Sequence, residues 1–143
     1  ISSVAGYAGF ASSSSYTASK FAVIGLSESL AEEVAPFNVK VTVVAPGVFR
    51  TNFLNQGSLQ TADKLIKEYA TEQKIETWGQ YNGNQPGDPS KLVQILLEIT
   101  ELEKPPLHLL LGPDAYQLVT EKRKLEHDEF ESWKHLTLST NFD

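Results

Sequence analysis

The 143-residue chain has no cysteine and no methionine. Without cysteine it holds neither a disulfide nor a thiolate metal site. Without methionine it has no initiator, and Ile1 runs straight into Ser2-Ser3, as expected of a segment that continues from an earlier stretch of chain. No apolar stretch approaches the roughly 18 residues that a membrane-spanning helix needs. The N-terminus also lacks the basic flank and apolar core of a secretory leader. Positive charge is scarce: 12 Lys and Arg against 18 Asp and Glu give a net charge of -6. A nucleic-acid surface needs clustered Lys and Arg, so nucleic acid is not the expected partner. The three histidines, His108, His127 and His135, make no metal set, because the eight-residue spacing of the last two does not bring both to one ion from one helix face. His108 is expected as a satisfied core or rim histidine in a strand. The expectation is a cytoplasmic protein with no metal site and no membrane contact, its 41% hydrophobic residues sufficing for one modest core.

What the chain does have is Tyr16-Thr17-Ala18-Ser19-Lys20 at the start of an apolar-periodic run. A spacing of four puts the phenol and the ammonium one turn apart on one helix face. A cation held there favours the phenolate electrostatically, which suits a phenol to giving and taking protons. Of the five tyrosines, Tyr16 is the one with lysine four residues on. Ser3 lies thirteen residues upstream and Pro46-Gly47-Val48-Phe49-Arg50-Thr51 about thirty downstream. Taken singly, each has a plain structural reading: a solvated lysine beside a helix-start tyrosine, a strand-end hydroxyl, an ordinary Pro-Gly turn.

Along the chain, residues 1–3 are expected to end a strand and 4–15 to form a loop. The serines at 12–15 sit where a helix needs an N-cap acceptor. Phe21, Ile24, Leu26, Leu30 and Val34 predict a helix from Tyr16 to about Pro36, with Ala18, Ala22 and Gly25 allowing close backbone approach. The β-branched run 39–44 predicts a buried strand ended by Ala45-Pro46-Gly47. Residues 61–74 are predicted helical and 78–86 mobile. Gly87-Asp88-Pro89-Ser90 opens a helix to about Thr100, 107–111 is a final strand, and an amphipathic helix runs from Asp114 to about Leu136. Its Glu121-Lys122-Arg123-Lys124 is a solvated face. This order predicts an α/β fold, a partial doubly wound parallel sheet. Ligands of such sheets bind outside the carboxyl ends of the strands, where Ser3 and 46–51 both fall.

In fixed order, Ile1-Ser2-Ser3-Val4-Ala5-Gly6, Tyr-Thr-Ala-Ser-Lys and Val-Ala-Pro-Gly-x-x-x-Thr closely resemble the short-chain dehydrogenase/reductase family. The resemblance covers roughly residues 1–54, and Gly87-Asp88-Pro89 and 107–112 also look like the family's late segments. It implies an NAD(P)-dependent oxidoreductase that moves a hydride between the nicotinamide and a small alcohol or carbonyl substrate. Tyr16 would be the general acid or base. Lys20 would assist it and hydrogen-bond the nicotinamide ribose, and Ser3 would hold the substrate oxygen. Ser2, one residue away, should face the other side of its strand. Segment 46–51 would wrap the nicotinamide: Pro46 and Gly47 against the ring, a main-chain N–H near Val48 or Phe49 on the carboxamide, and Thr51 on the carboxamide or pyrophosphate. No Gly-x-x-x-Gly-x-Gly or Gly-x-Gly-x-x-Gly follows a strand. The chain is therefore expected to be the C-terminal half of a Rossmann-like domain, with the N-terminal half absent, 51–86 as substrate-covering lid and 114–143 as a C-terminal helical extension. The cofactor implied is NAD or NADP, with NADP slightly favoured, and the full-length enzyme is expected to be a homo-oligomer. Two other expectations compete: a sugar-nucleotide epimerase or dehydratase, which shares Tyr-x-x-x-Lys, and a family-shaped binding module without catalysis.

Overall fold

In the computed structural model, residues 1–55, 58, 60–61, 64–69 and 71–142 are described. Helix α1 (Ser14–Val34) is followed by strand β1 (Val43–Pro46), helices α2 (Thr71–Tyr81) and α3 (Pro89–Thr100), strand β2 (His108–Leu111) and helix α4 (Pro113–Thr137). The two strands pair in parallel, Val43 opposite His108 and Pro46 opposite Leu111. The fold is mixed α/β around a small parallel sheet. Val43 and Gly47 both donate toward the β2 side, to the carbonyls of Leu107 and Leu111. Val44, out of phase with them, presents its carbonyl to the opposite edge, where the Ser2 N–H meets it at 2.7 Å. Residues 1–3 thus run along β1 with one ladder-like hydrogen bond, short of a full strand, and lead into a 3-10 turn at Val4–Gly6.

Several boundaries differ from expectation. The strand predicted at 39–44 is displaced to Val43–Pro46, since its length follows the partner and β2 begins only at His108. Val39, left without a strand partner, is exposed. The helix predicted at 61–74 forms later, at Thr71–Tyr81, with a 3-10 turn at Lys67–Tyr69 before it. Residues 78–81, expected in a mobile stretch, are its last turn. Gln56, Gly57, Leu59, Ala62, Asp63 and Ala70 of the expected lid lie outside the described residues.

The core is small. Ala5, Ala8, Ile24, Val43, Val44, Ala45, Leu111, Ala115 and Val119 are its buried apolar side chains among the described residues. Of the apolar series on α1, Ile24 alone is buried, whereas Leu26 is 69% exposed and Phe21 and Leu30 are also open to solvent. Ile24 packs against the first turn: a Cβ on Gly6 would come within 2.6 Å of its Cδ1 and 2.8 Å of the Lys20 carbonyl. Ser2 completes the junction, its hydroxyl donating to that Lys20 carbonyl at 2.9 Å. The strand-end segment and the Tyr16–Lys20 turn are thereby held together by a part-buried bond, and Ser2, expected to face away from Ser3, borders the same cavity as Ser3.

Candidate active site

A cavity of about 440 Å³ is lined by Ser3, Tyr16, Pro46, Gly47, Val48, Phe49 and Thr51. These come from the strand-end segment, the first turn of α1 and the chain leaving β1. Ser3 is extended (φ -163°, ψ 165°) and caps the Val4–Gly6 turn, its Oγ accepting the Ala5 N–H at 3.2 Å. That contact occupies a lone pair and leaves the hydroxyl proton available to another acceptor. Tyr16 stands in the first turn of α1, its ring tilted against Phe53 with centroids 5.7 Å apart. Lys20 does not line the cavity. Its Nζ lies 5.4 Å from the centroid of the Tyr16 ring, a cation over an aromatic face. Ser13 occupies the N-cap position of α1, but no serine hydroxyl caps the helix.

Segment 46–51 is fastened from both sides. The Gly87 N–H donates to the Val48 carbonyl at 3.0 Å and the Arg50 N–H to the Gly87 carbonyl at 2.9 Å. Arg50 Nε adds a bond to the Gln85 carbonyl at 3.2 Å. On the other side, the Val48 N–H donates to Asp114 Oδ2 at 2.7 Å. Asp114 reaches this point because Gly112, at φ 108°, turns the chain from β2 into α4 in a conformation other residues rarely adopt. Gly47 leaves the space it needs, for a Cβ there would overlap the Asp114 carboxylate. Of the two main-chain N–H groups expected to meet a carboxamide, that of Val48 is therefore engaged, and that of Phe49 has no partner among the described residues. Thr51 Oγ1 accepts the Phe53 N–H at 3.3 Å.

The motifs do not point to Asp114, Gln85, Phe53 or Trp78, all of which line the same cavity. Asp114 reads as the first charge of a surface helix, and Gln85 sits in a polar, Gly- and Pro-punctuated stretch. Gln85 is 1% exposed, and neither of its side-chain polar atoms has a hydrogen-bond partner among the described residues. His108 behaves as expected of a satisfied rim histidine: Nδ1 lies 2.7 Å from the Tyr7 hydroxyl and Nε2 3.3 Å from Glu28 Oε1. Burial pushes the Tyr7 phenol above its ordinary value, opposed by the Arg123 charge and reinforced by Glu28.

A family model for short chain dehydrogenases matches residues 1–62. An uncharacterised oxidoreductase of Schizosaccharomyces pombe is 36% identical over 143 residues, covering 99% of this chain and 48% of its own. An oxidoreductase of Botryotinia fuckeliana is 34% identical over 142 residues, covering 98% of this chain and 51% of its own. The crystal structure of a short-chain dehydrogenase from Streptomyces avermitilis superposes with a TM-score of 0.80 at 37% identity, covering 99% of this chain and 51% of that one. The chain spans about half the length of the curated relatives it matches. With Ser3, Tyr16 and most of segment 46–51 on one cavity and relatives of that kind running the chain's whole length, the chain belongs to the short-chain dehydrogenase/reductase family of oxidoreductases.

Proposed function

We propose that the chain works as the C-terminal half of an NAD(P)-dependent oxidoreductase that interconverts a small alcohol and its carbonyl. The observation that carries this is the convergence of the Ser3 and Tyr16 side chains and segment 46–51 on one cavity of about 440 Å³. A bound NAD(P)(H) supplies or accepts the hydride. The residues fit its nicotinamide end. Pro46, Gly47 and Val48 line the cavity beside Tyr16, and the unpartnered Phe49 N–H leaves a main-chain donor on that segment.

Ser3 keeps its hydroxyl proton free because its oxygen already accepts the Ala5 N–H. It is suited to donate to a substrate oxygen and hold it near Tyr16. Tyr16 then delivers a proton to that oxygen in reduction or removes it in oxidation. Lys20 places its charge over the tyrosine ring, where it offsets negative charge that builds on the phenol. Phe53, Trp78 and Leu54 line the same cavity and limit water around the reacting groups, so the 51–86 segment is proposed as the substrate-covering lid.

The test is Tyr16→Phe in the full-length enzyme. The ring tilted against Phe53 is retained while the exchangeable proton is lost. Turnover should fall by about 10²–10⁴-fold, the usual contribution of a positioned acid or base, with dinucleotide binding retained. Turnover within a few-fold of the unsubstituted enzyme would remove Tyr16 from the mechanism.

A further inference from the structure

Among the described residues, three buried side-chain polar atoms lack a hydrogen-bond partner: Thr17 Oγ1 and both polar atoms of Gln85. A threonine hydroxyl is one rotatable group, but an amide left bare at both ends is a larger debit. Each unsatisfied buried group costs about 1–3 kcal/mol, and native interiors keep such groups paired. Gln85 is among the most fully buried side chains of the chain. Its environment does nothing to relieve it. Phe49, Leu92 and Leu118 line the same cavity with apolar side chains, and the Asp114 carboxylate is already engaged by the Val48 N–H.

The backbone around Gln85 is not loose. Its carbonyl accepts from Arg50 Nε, Pro86 stiffens the next residue, and Gly87 is bonded to Val48 and Arg50. Gln85 belongs to the 51–86 segment, yet these bonds hold its end of that segment in register with 46–51. The main-chain N–H and carbonyl of Val48 are both taken, by Asp114 and Gly87, so among the described residues segment 46–51 keeps the Phe49 N–H as a donor toward a carboxamide but no group of Val48. A planar group with a donor and an acceptor side by side complements a primary carboxamide, which offers the reverse pair. The terminal amide torsion is soft, so the group turns into the cavity its own side chain lines.

We infer that Gln85 reads the carboxamide of the nicotinamide, Nε2 donating to its carbonyl and Oε1 accepting from its NH₂, a role that rests on the cofactor reading above. The test uses the full-length enzyme, Gln85→Leu, and two dinucleotides: NAD(P)H and its reduced 3-acetylpyridine analogue, which keeps the carbonyl but lacks the NH₂. Affinities are taken by fluorescence titration and the unliganded proteins are melted. The unsubstituted enzyme should bind NAD(P)H roughly tenfold or more tighter than the analogue, because a site built around a donor leaves its acceptor bare without it. In Gln85→Leu that preference should collapse to near unity and NAD(P)H should bind about tenfold weaker. The midpoint of the free variant should hold or rise, since an apolar side chain of similar shape removes the unpaired amide. A preference unchanged in Gln85→Leu overturns the inference and leaves an internal water as the amide's partner. A sharp fall in the free variant's midpoint overturns it too, by revealing a partner within the unliganded protein. If the unsubstituted enzyme binds neither dinucleotide, the cofactor reading itself fails.

Discussion

Adding one methyl group at Gly47 should cost far more than a surface glycine-to-alanine change, and the loss should be recoverable by a second substitution 67 positions along the chain, at Asp114. A Cβ on Gly47 would overlap the Asp114 carboxylate, whose Oδ2 accepts the Val48 N–H at 2.7 Å. The carboxylate has little freedom to retreat, because the next residue of α4, Ala115, is completely buried. Gly47→Ala must therefore break a charge-assisted hydrogen bond or overpack the turn, and either route costs about 1–3 kcal/mol. Asp114→Ala alone should cost about 1–2 kcal/mol through the stranded N–H and the lost charge at a helix N-terminus. In the double variant the new methyl enters the space the carboxylate vacated. The two losses should then fall short of their sum by about 1–2 kcal/mol, well above the roughly 0.5 kcal/mol scatter of independent sites. Urea midpoints of the four full-length proteins, compared at constant m-value, give the coupling. Strict additivity, or a silent Gly47→Ala, would show that glycine and carboxylate do not share this space in solution.

Two further predictions concern the rest of the chain. Burial holds the Tyr7 phenol neutral above its ordinary value of 10.0, so as pH rises the unfolded chain loses this proton first. The stabilisation is complete below about pH 10 and drains away as pH climbs through the higher folded value. Tyr7→Phe should lack that alkaline loss, and parallel urea-midpoint curves for the two proteins from about pH 8 to 11 would contradict it. The isolated 143-residue chain, with Leu26 69% and Phe130 68% exposed, should be poorly soluble, molten or dimeric, and should bind no NAD(P)H at sub-millimolar concentration. A sharp cooperative melt of a monomer, raised by NAD(P)H, would refute this.

Elements whose signals are local were legible in the sequence. Helix α3 starts where Asp88 and Pro89 place it, and the Asp88 carboxylate accepts the Ser90 N–H at 2.8 Å. Helix α4 likewise begins at Pro113, one residue before the Asp114 the sequence points to, and ends at Thr137, one residue past Leu136. Strand β1 shows the limit. Its β-branched run begins at Val39, but propensity says only that a residue suits a sheet, whereas the ladder extends only as far as β2 runs beside it. Pro46, predicted to end the strand, is its last residue because the sheet bond at that end is donated by the Gly47 N–H to the Leu111 carbonyl. Helix α2 was misplaced for want of any strong apolar period in 61–81.

The candidate site divides along the same line. Tyr16 and Lys20 are read from a spacing of four, and Ser3 and segment 46–51 from short motifs that resemble the family's, because one strand end and one helix turn are enough to aim those groups. What surrounds them comes from afar: Asp114 meets Val48 across 66 positions and Gln85 meets Arg50 across 35. No local spacing encodes such pairs, and they decide which donors and acceptors in the cavity are already used. The Val48 N–H counts as an open contact until Asp114 is seen on it, and Gln85 counts as loop polarity until its amide is seen bare and buried. Chemistry carried by a few groups on one turn survives as a motif. Recognition depends on the polar atoms left over after folding, and that remainder exists only in three dimensions.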